Sequence, residues 1–128
     1  MQKPSKTFGS YIKEKRIAQT PRITLKQMAE LLSLNLTYLS DVENGRKNPF
    51  NAEKIELFCE VLNLTSEEKE IMYDLAARDN GSVPEDIADA IMYTEEGDYA
   101  RRALRMANQG KGNVDLWKDL IRKMEEDS

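Results

Sequence analysis

The chain of 128 residues contains no histidine and one cysteine, Cys59. Without histidine it lacks the commonest general base at neutral pH and the commonest metal ligand, and a lone cysteine excludes an internal disulfide. No run approaches the roughly 18 to 20 consecutive apolar residues of a membrane-spanning helix, and no apolar stretch of the signal-peptide kind follows the first methionine. No membrane partner and no cofactor are expected, and the cytoplasm is the expected location. Enzymatic chemistry has little to build on. Glu95, Glu96 and Asp98 read as an acidic helix start favoured by the dipole, with no catalytic company.

The net charge of −4 is unevenly spread. Residues 1–50 carry nine Lys or Arg against four Asp or Glu, whereas residues 51–128 carry ten against nineteen. A basic amino-terminal part favours contact with a polyanion, and an acidic remainder opposes unspecific sliding along one.

Apolar residues recur at three- and four-residue intervals almost throughout, which predicts an all-α chain without strands. A first helix is expected over 7–18, with Phe8, Tyr11 and Ile12 inward. Thr24 and Gln27 form a T-x-x-Q capping box at the start of a second helix, whose inward residues are Leu25, Met28, Ala29 and Leu32. After the turn Ser33-Leu34-Asn35, Asn35 caps a third helix that Gly45 stops. A fourth helix from Asn51 should bury Ile55, Phe58, Cys59 and Leu62. A fifth, behind the Thr65–Glu68 capping box, should bury Ile71, Met72 and Leu75. Asp79 to Ser82 read as a linker or loose turn. The expected domains are 7–80 and a helical extension over 83–128. In that extension Val83 and Pro84 open a helix through Tyr93, a second lies near 95–108, and a last one follows Gln109 to Gly112. Val114, Trp117, Leu120, Ile121 and Met124 share one face of the last helix. Such a stripe suits packing onto the same monomer, a dimer seam or a docking surface for a partner protein.

On the third helix, a rotation of about 100° per residue puts Leu39, Val42 and Glu43 on one side and Thr37, Ser40, Asp41 and Asn44 on the other. The polar set faces outward on a short helix of a width that a major groove admits.

The run T-L-K-Q-M-A-E-L-L-S-L-N-L-T-Y-L-S-D-V-E-N-G-R-K-N-P, residues 24–49, resembles the helix-turn-helix of the lambda-repressor-like, XRE or Cro family. Ala29 matches the small residue where the two helices cross, Leu39 and Val42 match buried positions of the recognition helix, and Glu43-Asn44-Gly45-Arg46 is similar to the family's E-N-G-R ending. The segment from Val83 to Ala88 also looks like that of longer members. The resemblance implies a five-helix bundle, with about three further helices here, that binds double-stranded operator DNA as a homodimer on inverted repeats. It also implies a structural ion pair between Arg16 and Glu43. Two positions depart from the family. Leu25 stands where many members have a glutamine that contacts the DNA backbone. Ser33 stands where glycine is usual, at modest strain if its φ is positive.

Phosphate contacts are assigned to Thr24, Lys26, Asn35, Asn44, Arg46 and Lys47, with Lys3 or Lys6 adding long-range attraction. Base edges are assigned to Thr37, Ser40 and Asp41, with Leu36 and Tyr38 at the margins. Leucine or threonine can meet a thymine methyl, and aspartate can accept from a cytosine amino group. The leading functional expectation is a sequence-specific transcriptional regulator, a repressor. The alternative is an antitoxin or immunity-type protein whose residues 83–128 bind a partner protein while the helix-turn-helix autoregulates the operon.

Overall fold

A computed structural model describes residues 6–127 as eight α-helices, with no strand among them. The helices are α1 (Phe8–Ile17), α2 (Leu25–Leu31), α3 (Leu36–Glu43), α4 (Ala52–Leu62), α5 (Ser66–Asn80), α6 (Ala88–Tyr93), α7 (Glu95–Asn108) and α8 (Val114–Glu126). The chain divides into two compact units, the first ending at Ile87 and the second beginning at Ala88.

Most boundaries in the first unit follow from local hydrogen bonding. Thr24 and Gln27 cap α2 reciprocally, as Thr65 and Glu68 cap α5, and Asn51 accepts from Lys54 N at the start of α4. Thr7 and Ser10 form a further capping box on α1, which carries no Glu or Gln at its third position to announce it. Gly45, with φ +76°, follows the α3 cap at Asn44. Phe8, Ile12, Met28, Leu32, Leu39 and Val42 meet Ile55, Phe58, Met72 and Leu75 in one core. Within it the Phe8 and Phe50 rings stack edge to face at 5.4 Å.

Several expectations need correction. Ile71 is exposed, because the buried stripe of α5 is centred on Met72, Leu75 and Ala76 and Ile71 lies off its edge. Leu25 is only partly buried against the core. Asp79 and Asn80 belong to α5, which closes at Gly81 in a left-handed conformation, with Ser82 N donating to Ala77 O. No helix opens at Val83 and Pro84, since α6 begins only at Ala88. The intervening turn has other work: Glu85 Oε2 accepts from Ala52 N at 3.1 Å, placing a carboxylate at the positive end of α4. Asp79 does the same for α1 by accepting from Phe8 N at 3.1 Å.

In the second unit α6 packs on α7 through Gly97, where a Cβ would lie 2.3 Å from Ala90 O and 2.4 Å from Ile91 O. The apolar stripe of α8 is not buried within this unit.

Candidate nucleic-acid interface

Two close approaches set the pose of α3. Gly9 lets α1 lie against the end of α3; a Cβ there would fall 2.3 Å from Val42 O and 2.6 Å from Glu43 O. Ala29, 3% exposed, lies in the core between α2 and α3, which pack on each other. Leu39 and Val42 anchor the inner face of α3.

Beside them sits a buried pair of opposite charges. Arg16 Nε donates to Glu43 Oε2 at 2.8 Å and Arg16 Nη2 to Glu43 Oε1 at 3.0 Å, a two-pronged geometry that matches guanidinium to carboxylate. The third donor edge reaches Ile23 O at 2.9 Å. Arg16 and Glu43 are 7% and 8% exposed, so their charges are compensated chiefly by each other. One interaction thus ties α1, the strand of chain entering α2, and the end of α3.

The outward surface is uneven. Thr37 and Asn44 are exposed, Leu36 keeps 45% of its surface in water, and Ser40 and Asp41 are half-buried. Tyr38 packs partly against the core and offers only part of its ring. The Asp41 carboxylate lies 3.5 Å from Arg46 Nη1, and Asp41 O accepts from Arg46 N at 2.8 Å and from Lys47 N at 3.3 Å. Gly45 reverses the chain so that both cations return beside the last turn of α3. Asn44 Nδ2 donates to Ser40 O at 2.8 Å, which holds its amide against the helix end.

The polar caps leave donors pointing out of the helices. Asn35 Oδ1 is taken by Thr37 N at 2.8 Å and Tyr38 N at 3.3 Å, so its Nδ2 remains the donor end. Thr24 Oγ1 accepts from Gln27 N at 3.1 Å, and its hydroxyl proton remains to be given. Lys26, Arg46 and Lys47 are exposed; Lys6 is ion-paired with Glu14; Lys3 lies outside the described residues.

Three features escape the sequence reading. Gly9 is one of them, with no local pattern to mark it. Lys54 is another: its Nζ donates to Leu32 O at 2.8 Å and closes the end of α2 with a positive charge. Exposed Arg22, two residues before the Thr24 cap, is the third, and its position beside a helix start was the available signal. Ser33 adopts φ +54°, so the turn between α2 and α3 carries the strain that glycine would relieve.

Nothing nearby suggests covalent chemistry. Burial pushes the Cys59 thiol up to about 11, so it stays protonated at neutral pH. Among the described residues no cluster of three or more His, Cys, Asp or Glu could hold a metal ion, and no helix is long and apolar enough to cross a membrane.

Residues 12–69 match a family model described as helix-turn-helix, and residues 70–128 lie outside the match. Neither curated proteins nor solved structures return a match to the chain.

Proposed function

We propose that this chain, whose residues 12–69 form a DNA-binding helix-turn-helix domain of the XRE or lambda-repressor-like kind, is a transcriptional repressor that binds inverted-repeat operator DNA as a homodimer. The observation that carries the reading is the outward face of α3. Thr37, Ser40 and Asp41 stand on the helix, and exposed Arg46 and Lys47 follow directly after it.

In this reading α3 enters the major groove. Thr37 and Leu36 meet thymine methyls, Ser40 and Asp41 meet hydrogen-bonding base edges, and Tyr38 lies at the margin. The backbone is gripped on both sides of the groove by Thr24, Lys26 and Asn35 at helix starts and by Asn44, Arg46 and Lys47 at the helix end. Asp41 has a double role, because the carboxylate that accepts from a base also orients the Arg46 guanidinium. The base-reading set holds no two-pronged Arg, Asn or Gln ahead of Asn44, so DNA shape carries part of the specificity. The Arg16–Glu43 pair touches no base; it holds α3 in the pose that reaches one.

Selection of bound sequences from a random duplex pool tests the proposal. The expected product is a palindrome whose half-sites lie about one helical turn apart. Recovery of no preferred sequence at moderate salt would overturn it. An antitoxin-type reading draws on the exposed apolar residues of α7 and α8, and it requires that the chain alone stay monomeric until a partner protein covers them.

A further inference from the structure

The second unit has helices but almost no core. Of the residues in α6, α7 and α8, only Gly97 is buried. A unit of about 40 residues cannot bury enough surface to hold itself together without a staple or a partner, and this one contains no cysteine. Its apolar surface is laid out chiefly on α8. Leu116, Trp117 and Leu120 turn toward α7, where with Ala103, Met106 and Ala107 they line a cleft of about 280 Å³. Val114, Ile121 and Met124 stand outside the cleft, 64%, 56% and 63% exposed, at spacings of seven and three that keep them on one seam.

We propose that this seam is covered by α8 of a second copy, running antiparallel about a two-fold axis at Ile121. The inference rests on the homodimer reading above and gives that dimer a surface. The charge order supports the choice of occupant. Lys118 and Glu125 lie two turns apart on one flank of the seam. An antiparallel crossing at Ile121 brings Lys118 of each copy opposite Glu125 of the other, whereas a parallel one would set like against like. On the other flank Asp119 and Lys123, 3.4 Å apart within the helix, are spaced evenly about the same residue and exchange in the same way.

A foreign partner would need no such internal symmetry. Residues 88–127 carry seven Lys or Arg against nine Asp or Glu, so little net repulsion opposes self-association. The large apolar side chains left half in water on α7 and α8 amount to on the order of 800 Å² per copy, the surface that a standard interface takes from each partner.

Sedimentation equilibrium on the full chain without DNA should report a dimer at micromolar concentration. Ile121→Glu should raise its dissociation constant on the order of a hundredfold, by placing a charge in the apolar seam, while thermal unfolding of the first unit stays unchanged. Lys118→Glu and Glu125→Lys should each weaken the dimer, and the two together should restore it. Under oxidation Ile121→Cys should cross-link, and Val114→Cys should not, because the two Val114 sites lie about 20 Å apart at 1.5 Å per residue. A chain that is monomeric throughout, a dimer indifferent to Ile121→Glu, or equal cross-linking at both positions would overturn the proposal. Two-to-one binding of a palindrome that ignores Ile121→Glu would sink the seam and spare the operator reading. A dimer through the seam without DNA affinity would do the reverse.

Discussion

Replacing Arg16 with alanine leaves the Glu43 carboxylate 8% exposed with neither of its guanidinium donors, at 2.8 and 3.0 Å, and deprives Ile23 O of its own donor at 2.9 Å. Breaking a buried pair from one side typically costs ~3 to 5 kcal/mol, because the remaining charge keeps its desolvation penalty without its attraction. A small domain has only about 5 to 15 kcal/mol to lose. For a unit of this size the loss corresponds to a fall in melting temperature of roughly 15 to 30 °C. Removing both charges together should be far milder: Arg16→Met with Glu43→Leu replaces the pair by apolar groups, a change that is often neutral or stabilising in a packed interior. Urea unfolding of the wild type, both single variants and the double variant gives the coupling energy directly. DNA affinity should fall in parallel with stability in Arg16→Ala, since the pair positions α3 and touches no base. An Arg16→Ala protein within about 1 kcal/mol of the wild type, with unchanged affinity, would refute the reasoning.

Other changes test separate parts of the account. Asp41→Ala should relax base preference at one position per half-site by ~1 to 3 kcal/mol in a binding-selection assay, whereas Lys47→Ala should weaken binding to all sequences and lower the salt slope by about one. Gly9→Ala should destabilise by about 1 to 3 kcal/mol in urea unfolding despite alanine's better helix propensity, because its Cβ would press on the carbonyls of Val42 and Glu43. Glu68 is held down to about 2 by its contact with Lys15 at 2.6 Å and by the Thr65 backbone N–H. A carboxyl lowered on folding lends its stability in full above its ordinary value of 4.5 and loses it as the pH falls toward about 2, so Glu68→Gln should flatten the acid limb of the stability curve in that window.

What the sequence made legible was local. The Thr24–Gln27 and Thr65–Glu68 boxes, the Asn35 and Asn51 caps and the Gly45 stop are written in neighbouring residues, and the helices begin and end where they indicate. The all-α class follows from the same periodicity, and the family resemblance added the partner of Glu43. What was not legible depends on residues far apart in the chain. Asp79 and Glu85 look like loop acids until α1 and α4 bring their amino-terminal ends beside them. Gly9 is unremarked in sequence because its neighbour is the backbone of α3, and Lys54 because its acceptor belongs to α2. Ile71 was placed inside by a stripe one residue out of phase. At the candidate interface the outward set on α3 was readable from rotation alone, but the pairing of Asp41 with Arg46 needs the reversal at Gly45.

The most direct test of the central claim is the affinity of a Thr37→Ala, Ser40→Ala, Asp41→Ala variant for the palindrome selected by the wild type and for a scrambled duplex, at one salt concentration. These side chains lie outside the fully buried core, so the variant should remain folded. The account predicts that it binds both duplexes alike, at the wild type's affinity for the scrambled one. Retained preference for the palindrome in a folded variant would contradict it.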